Sequence, residues 1–141
     1  MLIDEIKKAN IQAMKDRDII KKNVFSIVIT KYNNLAIELR AKGQEIKDSD
    51  MLSIIQKTLK ELEDERADYK KAGNQNKAVE IALQIKALVS YLPRQLSEKE
   101  IKEEINKLED KSIPSVMKHF KANFAGKVDM SLVSKIAKEL K

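Results

Sequence analysis

Five lysines toward the C-terminal end, Lys118, Lys121, Lys127, Lys135 and Lys138, are the side chains whose type and spacing come nearest to a chemistry. Lys118 and Lys121 stand three apart in one helical stretch, and Lys135 and Lys138 repeat that spacing in the next, so each pair shares a helix face. Ammonium groups arrayed in this way can neutralise phosphates. Residues suited to covalent catalysis are scarce by comparison. There is no cysteine, which excludes disulfides and thiolate metal sites. An acyl-transfer nucleophile needs an activating base and an oxyanion site, and no Gly/Ser-rich loop offers to build them. The one histidine, His119, lies among lysines on a helical stretch and reads as a surface or packing residue rather than a general base. Glu61, Glu63, Asp64, Glu65 and Asp68 form an acid-rich run, but no second carboxylate or histidine motif faces them, as a two-metal bundle would require. Their alternation with Lys57, Lys60, Arg66, Lys70 and Lys71 reads instead as ion pairs four residues apart along one helix. No phosphate loop or dinucleotide glycine motif occurs. No catalytic residue, metal ligand or cofactor is assigned on this reading.

Charge points the same way. Residues 111–141 carry seven lysines against Asp129 and Glu139, a net +5, whereas residues 93–110 carry four basic against six acidic side chains. Residues 1–42 carry nine against five, and residues 43–92 eight against nine. A basic segment beside a near-neutral one suits an anionic partner such as nucleic acid, although a lysine-rich solvated surface has the same composition. The segment 111–141 has no arginine, so contacts would be made to phosphate by point charges rather than by planar base or stacking recognition. Asp4 and Glu5 interrupt any apolar leader, and no run reaches membrane-spanning length, so a soluble cytoplasmic protein with no membrane partner is expected.

The elements that must position these residues are helical. Hydrophobic residues make up 43% and charged residues 35%, with only three Gly and two Pro, a balance that favours helices over a turn-rich β-protein. Leu2, Ile6, Ala9 and Ala13 make one apolar face, and Asp18 is placed to cap the next helix. Val24, Val28, Tyr32, Leu35 and Leu39 continue at helical steps, outweighing the β-branched residues among them, and Gly43 is a C-terminal stop. A third helix beginning at Asp48 carries Met51, Ile55, Leu59 (or Thr58), Leu62 and Tyr69. A fourth, after the Ala72–Asn76 turn, carries Ala78, Ile81, Ala82, Ile85, Leu88 and Val89.

Pro93 then breaks the pattern, because it lacks an amide donor and pushes Leu92 out of helical geometry. Ser97 and Glu100 have the spacing of a capping box, with Leu96 and Ile101 as the ends of a hydrophobic staple. Beyond it follow a short helix with Ile101, Ile105 and Leu108, and one with Val116 or Met117, Phe120 and Phe124 after Ser112 and Pro114. The last is capped by Asp129 and carries Leu132, Val133, Ile136 and Leu140. The expectation is an all-α chain: a four-helix unit over 1–92, a linker over 93–96 and a three-helix unit over 97–141. Tyr91 and Leu92 are expected to pack against the latter.

The order of short motifs carries a resemblance. Tyr91-Leu92-Pro93-Arg94-Gln95-Leu96-Ser97 is followed by Val116-Met117, by Phe124-Ala125-Gly126-Lys127-Val128-Asp129, and by Leu132-Val133-Ser134 and Leu140. Ala13, Met14, Lys15, Arg17 and Asp18 form an N-terminal element. In this the chain resembles the YqeY family (GatB/YqeY), stand-alone relatives of the C-terminal tail domain of the GatB component of aspartyl/glutamyl-tRNA amidotransferase. Ser112-Ile113-Pro114-Ser115 stands where the family usually has D-M-G-K, and Met130 where it usually has glycine. The resemblance implies a helical tRNA-contacting accessory protein; the five lysines, singled out by charge and spacing, are the candidate nucleic-acid-binding residues. It also implies an alternative, a module that docks on an amidotransferase or aminoacyl-tRNA synthetase. A role in carbon–nitrogen ligase chemistry with glutamine as amide donor is the third implication, one that no constellation in the sequence supports.

Overall fold

The helices begin and end where local hydrogen bonding dictates. The computed structural model describes residues 1–140, and these contain seven α-helices and no strand: α1 Leu2–Lys15, α2 Ile19–Ala41, α3 Asp48–Lys71, α4 Gln75–Val89, α5 Glu98–Asn106, α6 Ile113–Asn123 and α7 Met130–Glu139. The β-branched stretch expected as helix is α2, which runs unbroken for 23 residues. No helix among the described residues is long and apolar enough to cross a membrane. The chain divides into two compact units, Met1–Tyr91 and Leu92–Lys141.

In the first unit, α1 lies on α2, α3 on α4, and α2 contacts both α3 and α4. Ile6, Val24, Val28, Met51, Ile55 and Leu88 are fully enclosed. Each contributes roughly 1.5–3 kcal/mol by leaving water. Asp18 accepts the Lys21 amide at 3.1 Å and Asn74 the Lys77 amide at 3.2 Å, capping α2 and α4. The two longest helices, α2 and α3, close on glycine with a double hydrogen bond. At α2, Gly43 N–H donates to Arg40 O and Gln44 N–H to Leu39 O; at α3, Gly73 donates to Lys70 O and Asn74 to Tyr69 O. Both glycines sit at positive φ, 73° and 77°, as this closure requires.

Several faces differ from the expectation. On α1 it is Ile3, not Leu2, that joins Ile6 and Ala13 in the core, since Ile3 stands three residues before Ile6 on the same helix face. On α3, of the two alternatives Leu59 and Thr58, Thr58 is the buried one; its hydroxyl donates to Ile54 O at 2.8 Å and accepts from Lys31 Nζ at 2.9 Å, so both of its polar functions are satisfied. Lys31 also holds Glu61 at 3.0 Å, so Glu61 pairs across to α2 rather than along its own helix. On α4, Val89 is exposed, and the helix ends there, ahead of the residues that Pro93 constrains. The Ser90 hydroxyl folds back onto Ala87 O at 2.9 Å and Tyr91 N–H turns onto Leu88 O, which competes with another helical turn. The Tyr91 ring stands edge-on to Phe25 at 5.8 Å, within the first unit.

The second unit has its own core of Ile101, Ile105, Val116, Phe120, Val128, Val133, Ile136 and Ala137, with α5 and α6 both packed on α7.

Candidate nucleic-acid interface

The lysine-bearing helices are fixed by a short set of polar contacts around α5 and the α6–α7 turn. Ser97 and Glu100 form the reciprocal capping box: Glu100 N–H donates to Ser97 Oγ at 3.2 Å and Ser97 N–H to Glu100 Oε1 at 3.1 Å. Arg94 grips the same carboxylate with both ends of its guanidinium, Nη1 to Oε1 at 3.0 Å and Nη2 to Oε2 at 2.8 Å. The Arg94 hydrogen bonds first, and the Ser97 amide next, hold the Glu100 carboxyl down at about 2. Leu96 and Ile101, flanking the cap, both enter the second core.

Gln95 and Leu96, expected within a linker, are bonded to the turn that leads into α7. The Gln95 side-chain amide donates to Gly126 O at 2.7 Å and to Pro93 O at 2.9 Å, and Leu96 N–H donates to Lys127 O at 2.8 Å. That turn is closed by Lys127 N–H on Phe124 O at 2.9 Å, with Gly126, at φ 77°, as its third residue. A positive φ at this position is what glycine supplies. Asp129 then caps α7 by accepting the Ser131 amide at 2.9 Å, and Met130, where the family usually has glycine, is half-buried against the core. Lys127 is thereby mounted on a backbone pinned at its amide, its carbonyl and its preceding glycine.

All five predicted lysines are exposed. Lys118 and Lys121 lie one turn apart on α6, Lys135 and Lys138 one turn apart on α7, and Lys127 on the connecting turn. None forms an ion pair among the described residues, whereas nearby acidic groups are engaged locally: Glu100 by Arg94, and Glu104 by His119 and by Lys107. Asp110 accepts the Ser115 hydroxyl at 2.7 Å and the Ser112 amide at 2.9 Å, and these bonds hold its carboxyl at about 2. Asp110 therefore secures the entry to α6; Ser112, expected to cap it, occupies the N-cap position without a side-chain cap bond.

His119 has both ring nitrogens engaged. The Asn123 amide donates to His119 O at 3.0 Å and lies 3.2 Å from Nδ1, which makes Nδ1 an acceptor and leaves Nε2–H to donate to Glu104 Oε1 at 2.9 Å. Its ring contacts Phe120 edge-on at 5.6 Å and Phe124 at 6.0 Å. This is a brace between α5 and α6. Among the described residues, no three His, Cys, Asp or Glu side chains gather as a metal site would require.

Sequence reasoning missed the Gln95–Gly126 bond and the Glu104–His119 pair. Both join residues far apart in the chain, and only the shared motif order linking Gln95 to the Gly126 turn hinted at the first. No curated protein matches the sequence. The family model described as Yqey-like protein matches residues 3–140, and the chain belongs to that family.

Proposed function

We propose that this chain is a non-catalytic RNA-binding accessory protein whose second unit engages the phosphates of structured RNA, tRNA foremost, through Lys118, Lys121, Lys127, Lys135 and Lys138. The observation that carries this reading is that all five ammonium groups are exposed and without an ion pair among the described residues, while Glu100 and Glu104 of α5 are tied into a cap and a brace. Lysines left in this state can displace the cations condensed on RNA phosphates, and the release of those counterions favours association at low to moderate salt. Lysine alone gives contacts that tolerate sequence changes in the RNA. The reading assigns the chain no bond-making step and puts it in the cytoplasm with the tRNA-modifying machinery.

The test is binding of total tRNA across a salt series by fluorescence anisotropy. Affinity should fall steeply with salt, and Lys121→Glu/Lys127→Glu/Lys135→Glu should abolish binding while leaving helical circular dichroism intact. Salt-insensitive binding, or unchanged affinity in the triple variant, would overturn the reading.

A second reading, docking onto an amidotransferase or aminoacyl-tRNA synthetase, is favoured by the exposed apolar pair Val79 and Leu83, one turn apart on α4. Co-purification that is lost on Val79→Ser/Leu83→Ser would support it.

A further inference from the structure

The end of α1 departs from the ends of α2 and α3 in one residue. Arg17 N–H donates to Met14 O at 3.2 Å and Asp18 N–H to Ala13 O at 2.9 Å, the same double closure that ends α2 and α3. At the corresponding position those two helices have Gly43 and Gly73, at φ 73° and 77°. Here the residue is arginine, at φ 58°, the only non-glycine residue at positive φ among those described. Arginine has no short polar side chain to offset the left-handed conformation, as Asn or Asp would, so the fold alone would place glycine here. The side chain itself is what the position retains. Strained positions of this kind concentrate where a side chain is needed for binding.

Its surroundings are basic. Lys15, Arg17, Lys21 and Lys22 are exposed around the α1–α2 corner, and none is ion-paired among the described residues. Lys21 of α2 and Lys86 of α4 line one groove of the first unit, of ≈660 Å³, so a third helix adds its charge to the corner. The two acids of the corner also line this groove, and both serve the backbone or a neighbour: Asp18 caps α2, and Asp16 accepts the Gln12 amide at 2.9 Å. The corner holds four of the nine basic side chains of residues 1–42, Lys15, Arg17, Lys21 and Lys22.

We infer that the α1–α2 corner, with Arg17 at its centre and Lys21 and Lys86 beside it, is a second phosphate-contacting surface for the RNA that the α6–α7 lysines engage. The inference rests on the RNA-binding reading above. It assigns the first unit a contact of its own. A guanidinium can grip a phosphate through two parallel N–H donors, which an ammonium cannot, so the corner supplies the directional contact that the all-lysine segment lacks.

The experiment uses the full chain, total tRNA and a salt series, with Arg17→Gly, Arg17→Lys, a Lys21→Gln/Lys86→Gln pair and the α6–α7 triple variant in parallel. Arg17→Gly should lower the slope of log affinity against log salt by about one contact, which weakens binding about tenfold at 0.1 M salt. The same variant should melt no lower than the parent, which separates lost binding from lost folding. Arg17→Lys should recover the slope, and the Lys21/Lys86 pair should lower it by about two. Loss of binding in the triple variant with an unchanged slope in Arg17→Gly would overturn this inference and leave the α6–α7 reading standing. Loss in Arg17→Gly with an unaffected triple variant would overturn the α6–α7 reading and, because the corner would then be no second surface, this inference with it. No slope change in either variant, or no tRNA bound by the parent, would overturn both. Arg17-dependent retention on polyglutamate but not on tRNA would replace RNA with an acidic protein and overturn the inference as well.

Discussion

Gln95→Ala isolates the contact that joins the segment after Pro93 to the turn before α7. The change removes an amide nitrogen that donates to Gly126 O at 2.7 Å, in a half-buried setting, and to Pro93 O at 2.9 Å, in an exposed one. Hydrogen bonds contribute roughly 0.5–1.5 kcal/mol each, the exposed bond at the low end, so the second unit should lose about 1–2 kcal/mol. That is a factor of about 5–30 in its opening equilibrium. Three amides on different elements, Ile105, Phe120 and Ile136, should therefore exchange faster with solvent by a common factor in that range. The first unit gives an internal control, because all three tyrosines, Tyr32, Tyr69 and Tyr91, belong to it and the chain has no tryptophan. Tyrosine fluorescence should follow an unchanged transition. Gln95→Glu should do worse than alanine, since it turns a charged acceptor toward two carbonyl oxygens. An exchange change below about twofold would refute the reasoning, as would glutamate being tolerated better than alanine or an equal loss in the tyrosine transition.

Replacing Ser97 with Ala removes one side of the capping box, and amide exchange in α5 should report a loss of roughly 0.5–2 kcal/mol. Phe120→Ala empties the centre of the second core, where the ring is fully buried and in contact with Phe124, and denaturant melts should show a loss of about 3–5 kcal/mol. Arg17→Gly should raise the stability of the first unit by about 0.5–1 kcal/mol in the same assay, because relief of the left-handed conformation exceeds the added freedom of the unfolded chain. The pH dependence of the second unit has a defined sign. The Glu100 and Asp110 carboxyls are lowered from ordinary values of 4.5 and 3.8 to about 2, so their contributions are fully present above the ordinary values and vanish as pH falls through about 2. Acid titration followed by circular dichroism should show this loss between about pH 4.5 and 2, and Glu100→Gln should flatten it.

The parts of the fold legible in the sequence are those set by residues three or four apart. Asp18, Ser97, Glu100 and Asp129 can be placed as caps because a cap reads only the next helical turn, and their bonds are present. Gly43 and the Gly73 turn are legible because glycine is the usual residue at positive φ. Arg17 is not, since nothing in an Arg side chain announces a left-handed backbone; only comparison with the other two helix ends exposes it. The five lysines can be named as candidates, yet their exposure depends on which residues become core. The outward turn of Val89 and the burial of Ile3 in place of Leu2 show that a single stripe does not decide this. Glu61 misleads for a related reason: a run of alternating charges suggests pairs along one helix, while Lys31, 30 residues earlier, reaches it from another.

The run from Tyr91 to Ser97 shows why a motif can be plain in sequence while its physical basis is not. Its residues divide between two cores. Tyr91 stands against Phe25 in the first unit, and Leu96 and Ser97 open α5 in the second. Between them Arg94 and Gln95 are polar and exposed, and composition alone would make them a linker. The structure gives each a partner that fixes backbone: Arg94 holds the Glu100 carboxylate of the capping box, and Gln95 holds the carbonyl of Gly126. Gly126 must be glycine for its φ, and the bond to its carbonyl sets the turn on which Lys127 stands. The motif around Pro93 and the Phe124–Asp129 motif, separated in the chain, are thus two halves of one hydrogen-bonded support. Substitution in either half should reach the lysines only through that support, lowering RNA affinity in proportion to the stability lost by the second unit and leaving the salt slope of the folded fraction unchanged.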